Sequence, residues 1–510
     1  MTALGLDGGD GPKPALRRGD RMTVMVEKLS FEGPGIGFAD NGVEADGSPR
    51  RLKILLEGVV PGDEVELEIF SVRHGEARGR VVKFLQYSAA RVGPRCPHFG
   101  VKSNAAGEPS IFLENGRLDL SANCGGCAWQ FLKYENQLQV KENIVKSALT
   151  GIGEIPPADL GIIWQPIMAA DDPWGYRNKM DFSFVRDREG ALHLGLHMKG
   201  RFNDVTEIRE CHLFRPWVGY FLEVMRPFFS DCQMGPEGVL KSLIVRAGTN
   251  TGEVMVNLLV ENAQIDWAAQ FAEKVRDFFT GLSGQTSDKL VSVFLTRIIN
   301  RKGQPTKQVE ELLWGAPVFR EELRLTSLTL NFEVAPQAFL QPNTRQAENF
   351  YSLVGKLAGL RGTEKVFDLF CGTGTIGISL ADAAGQVTGM ELNAPAVDNA
   401  RRNAELNGVK NISFMVGDVA KLLPELGAAV DLIVVDPPRA GLTAKIIESI
   451  AATAARRLIY VSCNPFTLAR DLKMLRAQGF RLSFAQAIDQ FSQTYHTETV
   501  TMLERTESGS

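Results

Sequence analysis

From about residue 336 the chain alternates strand and helix patterns with little interruption, and no other feature limits its fold so sharply. The apolar runs "KVFDLF", "GQVTGMEL", "NISFMVGD", "VDLIVVD", "RRLIYVSC" and "TVTMLE" are separated mostly by helical stretches. Parallel neighbours need crossover connections, which place helices on both faces of the sheet. The spacing predicts a Rossmann-like α/β domain over 336–510.

Upstream the patterns differ. Residues 1–18 read as a flexible tail without a signal-peptide core. Over 19–87, "MTVMVEKL", "RLKILLEGV", "DEVELEIFSV" and "RGRVVKFLQY" are strand-like and separated by Gly, Pro and Asp clusters. They predict a small β-barrel of the OB type. Its last part carries Arg73, Arg78, Arg80 and Lys83, which suit either a solvated edge or RNA contact. Residues 88–335 begin loop-like and then mix helices with strands such as "KMDFSFV" and "GEVMVNLLV", an α+β pattern. No apolar run approaches the ~18 residues of a membrane helix, so the expectation is a cytoplasmic protein without membrane association. Net charge is −4, so any nucleic-acid surface must be local.

The α/β region carries the chemistry. "VFDLFCGTGTIGISLA" reads as strand, glycine turn, helix, and Glu391 ends the second strand 19 residues after Gly372. An acid there can accept both hydroxyls of a ribose. The glycine spacing alone does not exclude a dinucleotide. However, Asp368, Asp418 and Asp436 also sit at successive strand ends, and so many carboxylates suit a ligand bearing a sulfonium and an amine. S-adenosyl-L-methionine is the cofactor this favours. Any one of these acids could equally be a helix cap.

Two cysteines compete for the role of nucleophile. Cys371 lies inside the tight turn, where a small, weakly polar side chain suffices. Cys463 follows the strand "LIYVS" and precedes Asn464 and Pro465, a good N-cap and first helical residue. A helix N-terminus favours thiolate. Asp436-Pro437-Pro438-Arg439 should share its cleft. A thiol beside a methyl donor suggests C5 methylation of a pyrimidine, because addition at C6 makes C5 nucleophilic. A base must then remove the C5 proton. In "QTYHTETVTML", Glu498 is the preferred base, with His496 two residues away on the same face as a supporting or RNA-contacting group.

Cys96, Cys124, Cys127 and Cys211 form a C-x2-C pair plus two distant thiols. Their spacing is compatible with zinc, with an iron–sulfur cluster or with a redox pair. Cys232 has no partner by pattern.

Together "DLFCGTG", "VVDPPRAG", "YVSCNP", "HTE" and "FLQPN" resemble the motifs of the RNA uracil-C5 methyltransferases, which make 5-methyluridine in 23S rRNA and tRNA. The resemblance implies Cys463 as nucleophile and Glu498 as base. It implies Gln341, Phe370, Glu391 and Asp436 as contacts for S-adenosyl-L-methionine or the base, with Asp418 beside them. It also implies that Cys96, Cys124, Cys127 and Cys211 hold a 4Fe–4S cluster, as in ribosomal members. Here residues 97–123 intervene between the first cysteine and CGGC, a departure from those members that a surface loop can absorb. The barrel resembles the TRAM module, through "VEKLSFEGPGIGFAD" and "VVPGDEVELEI". "YRNKMDFSF" also resembles a family motif, which makes Arg177 and Lys179 candidates for RNA backbone contacts. A cytosine enzyme would carry a second cysteine near "DPPR", and an amino-group methyltransferase an aromatic at Arg439. The expected reaction is therefore uridine C5 methylation in structured RNA, 23S rRNA before tRNA, with no obligate protein partner. The competing class is a non-catalytic RNA-binding or RNA-folding protein.

Overall fold

A computed structural model describes residues 16–43, 49–73, 75–100, 124–232, 239–263, 265–301, 303–304, 306–427 and 429–506. Most of the expected tail, and residues 101–123 of the insertion, lie outside them. The chain forms two compact units. One comprises Met1–Val140 with Gln493–Tyr495, the other Lys141–Ser492 with His496–Ser510. Among the described residues no helix is long and apolar enough to cross a membrane.

In the first unit, strands Arg21–Leu29, Gly35–Val43, Pro49–Leu56, Glu64–Arg73 and Glu76–Gln86 close into a barrel, in the order first, second, third, fifth, fourth. Alternation drives closure. In "EVELEIFSVR", Val65, Leu67 and Ile69 point inward with Ile54, Leu56 and Ala77, while the intervening acids face out. Closure leaves no unpaired sheet edge. The expected OB-type architecture is consistent with this barrel. In the same unit the Cys124 amide donates to the His98 carbonyl at 3.0 Å. The chain on either side of 99–123 is thus joined, and Cys96 stays local to Cys124 and Cys127 despite the insertion.

The second unit holds two large sheets. A seven-stranded sheet runs in the order Lys307–Gly315, Lys289–Ile299, Glu253–Glu261, Val239–Ala247, Lys179–Arg186, Leu192–Met198, Arg201–Thr206. Helices Val218–Asp231 and Ala268–Gly281 meet in an aromatic cluster around Trp217, Phe221, Phe278 and Phe279.

The eight-stranded sheet runs in the order Ile412–Val416, Gln386–Glu391, Lys365–Leu369, Leu432–Val435, Arg457–Ser462, Glu498–Arg505, Phe480–Ile488, Trp164–Met168. Its first five strands are mutually parallel, as the alternation predicts. Strand order reverses between Lys365–Leu369 and Leu432–Val435, and such a switch point opens a crevice at the carboxyl ends. Three features were not expected. Strand Phe480–Ile488 is an extra member, Glu498–Arg505 inserts antiparallel beside it, and Trp164–Met168 joins from far upstream. The short "WQPIM" segment has no period that separates it from a loop.

A buried ion pair fastens the end of this sheet. Lys141, on helix Tyr134–Gly151, bonds Asp489, and both side chains are fully buried. Its ammonium also donates to the Phe491 carbonyl at 3.0 Å, and Ser492 Oγ donates to the second Asp489 oxygen at 2.6 Å. Burial lowers the Lys141 pKa despite the carboxylate beside it. Removing one partner strands the other charge in the interior, which costs about 3–5 kcal/mol. Lys141→Met and Asp489→Leu should each lower urea-unfolding stability by about that much, and the double variant should lose less than the two together. Full additivity in the denaturation series would show that the pair is not coupled.

Candidate active site

The expected site residues converge. Gln341, Phe370, Glu391, Asp418, Asp436, Cys463 and Glu498 all line one cavity of about 910 Å³. Its size and its mixture of apolar wall and few polar groups match a ligand site.

The glycine turn builds one wall. The Cys371 amide donates to the Met390 carbonyl, and the Gly374 amide to the Cys371 carbonyl. Gly374 has φ +80°, and a Cβ there would collide with Phe414 and Ala400, so only glycine fits. Phe370 has φ +63°. A bulky residue is strained in that region, and this one is held there at the cavity wall. Glu391 accepts from the Gly372 amide at 3.2 Å and the Asn393 amide at 2.8 Å, one to each oxygen. Its carboxylate is fixed and keeps lone pairs for a diol. Asp418 caps helix Val419–Glu425 through the Ala420 amide at 2.9 Å, so it is a cap and a cavity residue at once. Asp368 does not line the cavity. It is fully buried and accepts from the Gly377 amide at 2.8 Å, which ties the strand to the following helix.

Strand register sets the opposite wall. Antiparallel pairing aligns Ser462 with Thr499 and Ile488 with Glu498. Continuing that register brings Cys463 opposite Glu498. Asn464 caps helix Pro465–Ala477 by accepting from the Phe466 amide at 3.0 Å. Its side-chain amide donates to the Arg439 carbonyl at 3.2 Å and Thr467 Oγ1 donates to the same oxygen at 3.2 Å. The "DPPR" loop is thereby tied to the cysteine loop, and the expected shared cleft is present.

Electrostatics corrects one expectation. The helix N-terminus was expected to favour the Cys463 thiolate, yet the thiol is pushed up to about 11. Burial is the main cause, followed by the Glu498 and Asp436 charges; Arg439 opposes them. Burial also raises Glu498 to about 8, with Asp436 adding to the rise and Arg439 opposing it. Asp436 is raised to about 7 by burial. His496 is lowered to about 4, by burial and then by the Arg439, Lys141 and Arg177 charges, so its imidazole is neutral near pH 7. Cys371 is buried in the core and absent from the cavity lining, and burial beside Asp368 and Glu391 pushes its thiol strongly up. It packs the turn.

Sequence reasoning missed Phe339, Phe491 and Glu310, which also line the cavity. Phe339 lay within a quoted motif without being singled out. Phe491 sits in an irregular loop, and Glu310 comes from the other sheet, so no local pattern marks either.

The four upstream cysteines divide between the two units. Cys96, Cys124 and Cys127 belong to the first unit and Cys211 to the second. Among the described residues no group of three or more His, Cys, Asp or Glu forms a metal-binding arrangement.

Comparison with known proteins agrees with the geometry. A family profile described as a methyltransferase domain matches residues 360–500, and one described as tRNA (uracil-5-)-methyltransferase matches residues 269–420. An RNA methyltransferase of Caldanaerobacter subterraneus subsp. tengcongensis is 34% identical over 498 residues, covering 96% of this chain and 100% of its own. One of Protochlamydia amoebophila is 36% identical over 465 residues, covering 87% of this chain and 98% of its own. Among solved structures, the tRNA (uracil-54, C5)-methyltransferase of Pyrococcus abyssi, in complex with S-adenosyl-L-homocysteine, is similar with a TM-score of 0.66 and 25% identity, covering 94% of this chain and 100% of that one. With a relative above 30% identity matched over nearly its whole length, the chain belongs to the RNA uracil-5 methyltransferase family.

Proposed function

We propose that the chain methylates C5 of a uridine in structured RNA through a covalent adduct of Cys463 with C6, and that Glu498 removes the C5 proton. The observation that supports this reading most is the register that brings Cys463 and Glu498 to facing strand ends of one cavity. The residues present fit S-adenosyl-L-methionine: Glu391 suits the ribose, and Gln341, Phe370, Asp418 and Asp436 complete the contacts. When bound, it supplies an electrophilic methyl on a sulfonium.

The steps assigned to the chain balance. Cys463 Sγ, having lost its proton, bonds C6 and drives the C5–C6 π pair toward C5. C5 then bonds the methyl carbon, whose bond to the sulfonium sulfur would break with its electron pair left on sulfur. Glu498 takes the C5 proton, the C5–C6 double bond re-forms, and the C6–S bond breaks to return the thiolate. The uridine must leave its stack to reach Cys463. A carboxyl raised to about 8 is close to the pH at which a base works best. While it is protonated it also places no negative charge beside the thiol.

The preferred RNA is 23S rRNA. A tRNA substrate is the second reading, favoured by the match to an archaeal tRNA enzyme along the whole of its chain. We retain 19–87 as the RNA-binding barrel, 88–335 as the central domain and 336–510 as the catalytic domain, in a cytoplasmic enzyme. The iron–sulfur proposal rests on the resemblance of Cys96, Cys124, Cys127 and Cys211 to the cluster cysteines of ribosomal family members, and no step is routed through it.

Incubation with S-adenosyl-L-methionine and RNA containing 5-fluorouridine should give a denaturant-stable complex, because the C5 substituent cannot be removed. Cys463→Ala should abolish it and Cys371→Ala should keep it; dependence on Cys371 instead would overturn the assignment. With ordinary RNA, Glu498→Gln should slow turnover by 10² or more and accumulate the adduct. The single-turnover rate of the wild type should rise with pH over roughly 7–9, as Glu498 loses its proton, and go on rising toward about 11 as the thiol does. A flat or falling profile there would remove Glu498 as base. Anaerobically purified protein should contain iron and labile sulfide, and stoichiometric zinc in their place would refute the cluster.

A further inference from the structure

A second cavity, of about 440 Å³, lies in the same unit, lined by Trp174, Tyr176, Thr249, Asn343 and Arg345 among others. None of its residues is used in the chemistry above. Its wall is shared with the catalytic cavity. Gln341 and Pro342 line the first cavity, and Asn343, the next residue, lines the second. Opposite them Arg177 pairs with Asn343, and the Asn178 amide donates to the Pro342 carbonyl at 2.9 Å. Two residues of extended chain span only about 7 Å, which one unstacked nucleotide can cross.

The lining indicates what would enter. Trp174 is partly exposed, and its ring meets that of His212 edge to face at 6.1 Å. Tyr176 is buried, and its hydroxyl donates to the Ser492 carbonyl at 3.0 Å. Thr249 Oγ1 is shielded from solvent and has no hydrogen-bond partner among the described residues. The charges argue against a phosphate in the interior. Asp288 also lines the cavity but is engaged by Arg215 at 3.2 Å and by the Trp217 indole at 2.7 Å. Asp171 and Asp172 are exposed and would repel an anion, whereas a carboxylate accepts readily from an amino group on a base edge. Exposed Arg345 can take the connecting phosphate.

We propose that this cavity binds a second unstacked base of the substrate RNA, adjacent to the target uridine and bearing an amino or imino N–H donor. The base stacks on Trp174 and meets Thr249 at its edge. The inference rests on the RNA-methylating function proposed above and adds a specificity determinant to it.

The test is steady-state methylation of the RNA that the wild-type chain modifies. Trp174→Ala should raise KM for RNA about tenfold, as expected for loss of one base–aromatic stack, and Thr249→Val about threefold. kcat and the Kd for S-adenosyl-L-methionine should stay within twofold. RNA with an abasic site at one nucleotide beside the target should show the same rise with the wild type and no further rise with Trp174→Ala. A KM for Trp174→Ala within twofold of wild type, or abasic penalties that add fully to those of the variant, would overturn the proposal. Absence of methylation by the wild type on any RNA would instead defeat the reaction itself, and this inference with it.

Discussion

The site depends on one strand register. Glu498–Arg505 enters the sheet antiparallel, between Arg457–Ser462 and Phe480–Ile488, with Ser462 aligned to Thr499. The five parallel strands end at the cavity, whereas this strand begins there. A group that starts one strand can therefore face a group that ends its neighbour. A slip of one residue would turn Glu498 to the other face of the sheet and leave the thiol without its base. The cost of such a slip is high, because Val500 and Leu503 are fully buried on opposite faces of this strand.

Burial then determines how the groups titrate. Glu498 and Asp436 are held out of water, and both carboxyls are raised into the neutral range. The same desolvation raises the thiol of Cys463, and the helix dipole, worth up to about 2 kcal/mol in partly buried sites, does not offset it. Arg439 is the cation that opposes both shifts. The site thus keeps its nucleophile protonated near pH 7, and its reactivity depends on which neighbouring acids carry charge.

The fold was legible where local pattern and tertiary role coincide. The parallel strands, the glycine turn and the barrel follow from apolar alternation and turn residues, and Cys463, Glu391 and Asp436 follow from strand ends. The antiparallel direction of Glu498–Arg505 was not legible, since a strand's direction is set by the path of the chain before it. Trp164–Met168 and Glu310 escaped because their roles come from long-range pairing. The thiol's upward shift escaped for a related reason: a sequence shows the helix after Cys463 but not the carboxylates packed around it. At 96, 124, 127 and 211 the spacing left zinc, an iron–sulfur cluster and a redox pair open, and among the described residues no group of three or more His, Cys, Asp or Glu forms a metal-binding arrangement.

The most direct measurement follows the hydrogen that leaves C5. RNA transcribed with 5-tritiated uridine is methylated by the wild-type chain, and tritium released to water is counted against methyl groups gained. The account predicts one tritium released per methyl transferred, with neither event in Cys463→Ala. Methyl transfer without tritium release would place the methyl on another atom and contradict the account.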